Sequence, residues 1–215
     1  MELVAISLAR VVSFLEVLSL DPFGRNSSLD VFRNIGSRYS FAQVPQTLAE
    51  IDFQKGVELS SGKCNGINVD KLTVYHNGIV VDTRTSTEES EKVLHDLLDL
   101  ARELFGAEVK SSRRVFWSQL VFRSNIRLAL IHPAIEKIVA RLTASVSTDL
   151  KHPYVFDPAI VIGADLSQTK IAPAAFSIER RAEIPFSENT YFSSAPLRTP
   201  EHVELLEQFE ASLGI

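Results

Sequence analysis

The stretch Leu72-Thr73-Val74-Tyr75-His76-Asn77-Gly78-Ile79-Val80-Val81-Asp82 alternates with a period of two on either side of Asn77-Gly78. That period is the signature of a half-buried strand. Asn-Gly is the preferred centre of a type I′ hairpin turn, because both central residues must take φ > 0. The stretch therefore predicts an antiparallel hairpin.

Outward from the hairpin the period changes. Ser86 with Glu89 three residues on makes a capping box, and Val93, Leu94, Leu97, Leu98, Ala101, Leu104 and Phe105 recur at helical spacing, so a helix runs from Thr87 to Phe105. Gly106 supplies its stop. A last helix begins at Thr199 as N-cap with Pro200 at the first position, and Leu205, Leu206, Phe209 and Leu213 form its stripe up to Gly214. A third runs from Pro133 to about Val146, with Ile135, Ile138, Val139, Leu142 and Val146 on one side. A fourth starts at Ser28 and carries Leu29, Phe32, Ile35 and Tyr39, weakened by Gly36. Strands are expected over 11–20, 51–59, 114–123, 155–163, 174–180 and 189–192, with a loop over 60–66.

In chain order these elements suggest two pseudo-repeats of β-α-β-β-β-α, residues 1–108 and 109–215. The final helices are offset by about 112 residues, with an insertion near 170–188. The expected architecture is α+β: a largely antiparallel sheet with helices packed on one face. This order of elements resembles that of the saddle-shaped TATA-binding proteins, which also carry two such repeats. The resemblance is one of order alone. None of that family's motifs is present, and no residue role is carried over.

The chain has 215 residues, 45% hydrophobic and 23% charged, with a single Cys and a net charge of −5. This excludes an intrinsically disordered chain and a disulfide scaffold. The negative balance argues against nucleic acid as a partner, since binding rests on Lys and Arg neutralising phosphates. Residues 1–20 are apolar, but Glu2, Arg10 and Glu16 interrupt them, so they read as a strand and not as a membrane span. With one Cys and no targeting signal, a cytoplasmic location is expected.

Motifs for chemistry are sparse. Cys64 beside Lys63 is a possible nucleophile if folding brings His76 to it as base. Asp157 and Asp165 bracket the apolar run 158–163, where carboxylates can hold Mg²⁺ or work as acid and base. The five His show no ligand spacing, and neither a metal nor a cofactor is expected. His95, Asp96 and Asp99 read as the solvated face of their helix, and His202 as a neutral ring in the first turn of the last one.

The strand from Arg114 to Arg123 is apolar on both faces. Arg113, Arg114, Phe116, Trp117, Phe122 and Arg123 combine the aromatic and arginine side chains that anchor protein interfaces. The expectation is a non-enzymatic interaction module, self-associating as a homodimer or binding a protein partner through its sheet face or the edge of that strand. Two rivals are a small enzyme or ligand-binding protein built from Cys64, His76, Asp157 and Asp165, and a saddle-like nucleic-acid binder using Arg113, Arg114, Arg180 and Arg181.

Overall fold

Val11, Val57, Leu59, Leu72, Val74, Ile79 and Val81 are all at most 4% exposed, and each is one of every second residue along its strand. Strand side chains alternate between faces, so this set defines a single buried face. The computed structural model describes residues 1–15, 27–105, 113–167 and 172–213. Along them run β1 (Glu2–Phe14), α1 (Ser28–Arg38), β2 (Val57–Cys64), β3 (Ile67–Tyr75), β4 (Gly78–Thr83), α2 (Thr87–Phe105), β5 (Arg113–Arg123), α3 (Pro133–Leu150), β6 (Ile160–Ile162), β7 (Phe176–Arg180), β8 (Thr190–Ala195) and α4 (Thr199–Ser212). The strands form an antiparallel sheet in the order β2-β3-β4-β1-β5-β8-β7-β6. The fold is α+β, as expected.

Two compact units divide the chain: residues 6–118 with 197–199, and residues 1–5 with 119–196 and 200–215. In the first unit α1 and α2 cover the buried face. Phe32 and Ile35 of α1 join Val93, Leu94, Leu97 and Leu98 of α2 in one cluster with the strand residues named above. Ser27 caps α1 by accepting from the Asp30 amide at 3.2 Å. Gly36, a weak point for helix propensity, is required by packing: a Cβ there would lie 2.5 Å from Val44 Cγ1. Ser86 Oγ accepts from the Glu89 amide at 3.2 Å, which is the capping bond expected for α2. Ser90 Oγ donates to the Ala9 carbonyl at 2.8 Å and lies 2.9 Å from Thr83 Oγ1, tying α2 to β1 and β4 through buried polar groups.

The hairpin between β3 and β4 exists, but its turn is His76-Asn77, since Tyr75 pairs with Gly78. Neither Asn77 nor Gly78 has a positive φ. Gly78 is needed for another reason: a Cβ would stand 2.7 Å from the Ser13 carbonyl oxygen of β1. The chain's other Asn-Gly, Asn65-Gly66, makes the type I′ turn. Asn65 and Gly66 have φ +47° and +90° between β2 and β3, so the expected loop over 60–66 is strand as far as Cys64.

β2 and β8 begin later than expected, where turns hold the residues before them. Asp52 Oδ1 accepts from the Gln54 amide and Gly56 has φ +93°, so β2 starts only at Val57. Asn189, at φ +51°, closes a 3-10 turn over Phe186–Glu188, and β8 runs from Thr190 to Ala195. Of the strand expected over 155–163 only Ile160–Ile162 pairs. β1 begins at Glu2, nine residues before its expected start at Val11, and its expected end at 16–20 lies outside the described residues, as do Gly106 and Gly214.

In the second unit, Leu120, Phe122, Ile126, Leu128, Ile178, Tyr191 and Leu206 are buried. His202 in the first turn of α4 is fully buried, with Nε2 2.8 Å from Ser193 Oγ of β8. α3 departs most from expectation. It has the expected apolar side, yet none of its 18 residues is buried.

Thr199 does more than begin α4. Its Oγ1 accepts from the Thr87 amide at 3.0 Å, and Thr87 Oγ1 accepts from the Thr199 amide at 2.8 Å, both buried. The first amides of a helix have no intrahelical acceptor, and here each of two helices supplies the other's. Thr87→Ala and Thr199→Ala should each lower stability by about 1 kcal/mol. The double variant should show a coupling energy of about 0.5 kcal/mol or more in a denaturant-unfolding cycle. Strict additivity would mean that the two bonds act independently.

Candidate functional site

β5 lies between β1 and β8 in the sheet, so both edges of the Arg113–Arg123 strand are paired. Its six candidate residues divide by parity. Arg114, Phe116 and Phe122 point toward the helices. Arg114 Nη1 donates to Glu91 Oε1 of α2 at 2.6 Å, and Arg198 Nη1 donates to Glu91 Oε2 at 2.8 Å. The Arg198 guanidinium also lies 3.8 Å from the Phe116 ring centroid. Chiefly through the Arg198 hydrogen bond, the Glu91 carboxyl titrates below its ordinary range. Phe122 is a core residue, stacked on Tyr191 with ring centroids 5.8 Å apart, and is not available to a partner. On the other parity, Arg113 is exposed, and Trp117 lies 5.1 Å beneath the Arg10 guanidinium. Arg10 itself is bidentate to Asp82, at 2.6 and 2.7 Å. Arg123 is exposed and reaches Glu2 at 3.4 Å.

Folding does not join Cys64 to His76. Cys64 pairs with Ile67 at one end of the β2–β3 hairpin, while His76 follows Tyr75 beyond the other end, where Val57 pairs with Val74. Seven strand residues separate the two ends, roughly 23 Å. The thiol is buried and faces Asp96 Oδ2 at 3.6 Å. Burial, and then the Asp96 charge, push its pKa up to about 11, the reverse of what a thiolate nucleophile needs. Asp96 is also no solvated helix residue: it accepts from Tyr39 Oη at 2.7 Å and Asn65 Nδ2 at 3.1 Å. It anchors the β2–β3 turn to α2.

Asp157 is occupied as well. Its side chain is fully buried; Oδ2 accepts from Arg180 Nε at 2.6 Å and from Tyr191 Oη at 3.0 Å, and Oδ1 from the Ala129 amide at 3.3 Å. Arg180 lies over the Tyr191 ring at 4.3 Å and donates through Nη1 to the Phe186 carbonyl at 3.2 Å. This removes Arg180 from a phosphate-binding surface; Arg181 beside it is exposed. Asp165 is exposed and accepts from the Ser167 amide at 2.9 Å, a local turn bond. Among the described residues no group of three His, Cys, Asp or Glu is placed to hold a metal ion.

A feature the sequence did not single out is the exposure of apolar side chains along 130–166. Of the fourteen large apolar side chains most exposed among the described residues, nine fall within it. Ile138 and Leu150 of α3 are each 59% exposed and Val161 of β6 68%. The sequence signal for it is the apolar spacing of α3, a pattern that a core-facing helix shares. Compared with known proteins, the chain matches no family model and no curated protein.

Burial lowers the His202 pKa to about 4. Because the unfolded ring protonates near 6.5 and the folded one near 4, this stability is complete above pH 6.5 and is lost as pH falls between those values. Wild-type unfolding free energy should drop by roughly 3 kcal/mol across that window, whereas His202→Gln should show little slope there. Asp157→Asn leaves a buried guanidinium uncompensated and should cost about 3 kcal/mol or more, against about 0.5 kcal/mol or less for Asp165→Asn. Equal effects in chemical denaturation would contradict the ion-pair assignment.

Proposed function

We propose that the chain is a non-enzymatic protein-interaction module, acting as a homo-oligomer or as a subunit of a larger complex. The observation that carries this reading is the concentration of exposed apolar side chains between Leu130 and Leu166. Single exposed apolar residues are ordinary, but a local concentration of them points to a covered surface. The polar candidates are engaged in structure: Cys64 with Asp96, Asp157 with Arg180, and Arg114 with Glu91. Arg113 and Arg123 are exposed, Arg123 within reach of Glu2, and Trp117 is half-buried against Arg10.

In this reading 1–108 and 109–215 are two versions of one β-α-β-β-β-α unit. The reciprocal bonds of Thr87 and Thr199, 112 residues apart at equivalent helix starts, support the doubling. The helix after the first strand buries Phe32 and Ile35 in one version, while in the other α3 presents its apolar side to a partner. A cytoplasmic setting belongs to the same proposal, in keeping with a free buried thiol. No helix among the described residues is long and apolar enough to cross a membrane.

The chain purified from its host should form a stoichiometric assembly, with itself or with one partner. Ile138→Glu combined with Val161→Glu should disrupt it while stability changes by no more than about 1 kcal/mol, since both sites are exposed. A wild-type chain that is monomeric by light scattering and carries no stoichiometric partner would sink the proposal.

A further inference from the structure

We infer that α3 is a self-association surface, on which two copies of this chain pair antiparallel about a two-fold axis crossing the helix between Leu142 and Val146. The inference rests on the interaction-module reading and names the partner at its most exposed helix. Ile138, Leu142, Val146 and Leu150 form a row at intervals of four, and Ile138, Leu142 and Leu150 are 59%, 45% and 59% exposed. Rows of this spacing interdigitate in the commonest class of helix packing.

A closed two-fold interface must be complementary to itself. Reversing the row about its midpoint places Ile138 against Leu150 of the second copy and Leu142 against Val146, so apolar meets apolar along its whole length. The charges agree. Arg141 and Asp149 make no ion pair among the described residues. Within one helix they stand about 12 Å apart along the axis. In the antiparallel pair Arg141 of one copy comes within about 3 Å, along the axis, of the level of Asp149 of the other, on the same flank of the contact. Parallel pairing would instead oppose Arg141 to Arg141 and align the two helix dipoles unfavourably.

The available area also fits. Leu130 precedes the helix, and Tyr154 is held against its C-terminal turn, where its amide donates to Ser147 Oγ at 2.9 Å. At roughly 60–100 Å² for each half-exposed apolar side chain, Leu130, Ile138, Leu142, Leu150 and Tyr154, on or beside α3, offer roughly 400 Å² of apolar surface per copy. A standard interface buries about 800 Å² a side, a little over half of it apolar.

Sedimentation equilibrium on the full chain tests this. The wild type should dimerise with a Kd below roughly 100 μM, and Leu142→Glu should weaken dimerisation at least about 100-fold with an unchanged circular dichroism spectrum. Arg141→Asp and Asp149→Arg should each weaken it about 10-fold, and the two together in one chain should restore it, because the pair forms only between copies. Failure of that restoration overturns the antiparallel register. A dimer that survives Leu142→Glu but is lost in Val161→Glu overturns the α3 pairing and leaves the interaction-module reading standing. So does a monomer that binds a different protein stoichiometrically. A monomer with no partner removes both.

Discussion

Thr87 and Thr199 begin two helices that are distant in sequence, and each satisfies an amide that the other's helix cannot. Buried backbone donors are costly to leave unmade, so the start of α2 is fixed only when residues 197–199 are in place. The neighbours build on that. Arg198, next to Thr199, reaches Glu91 on α2, the same carboxylate that receives Arg114 from β5. Ser118 Oγ donates to the Leu197 carbonyl at 3.1 Å. A three-residue segment from late in the chain thus completes a unit built mostly from residues 6–118. The contacts that Thr87 and Ser118 make in that unit therefore require residues 197–199 to be present.

Much of this fold is written in local periodicity. α2 is legible because its cap, its acidic first turn and its apolar stripe agree with one another. β3 and β4 are legible because strict alternation survives around a short turn. What the alternation does not show is which Asn-Gly pair takes the left-handed conformation. Asn65-Gly66 and Asn77-Gly78 look alike in sequence, and they differ in what crowds them: Gly78 lies against the Ser13 carbonyl, while nothing stands within 4 Å of a Cβ on Gly66. That information belongs to β1, more than fifty residues away.

The candidate chemistry was less legible for a related reason. Residue type suggested Cys64 and Asp157, but their environments settle their roles. Burial and then the Asp96 charge hold the proton on Cys64, and Arg180 occupies Asp157. Arg114 and Phe116 likewise serve the packing of α2 through Glu91 and Arg198, partners that no short motif could have announced. For α3 the periodicity identifies the helix but not its surroundings: apolar spacing does not say how much of the stripe is buried.

The two outer strands of the sheet differ in how they are guarded. β2 has an isolated bridge from Gln43 to Ser60 along its outer side, and Ser61 interrupts it with φ +57°. β6 is three residues long, pairs only with β7 among the described strands, and exposes both Val161 and Ile162. Short, unguarded edge pairing opens at little cost and invites another strand. Amide hydrogens of β6 should therefore exchange with solvent long before those of β3 and β4.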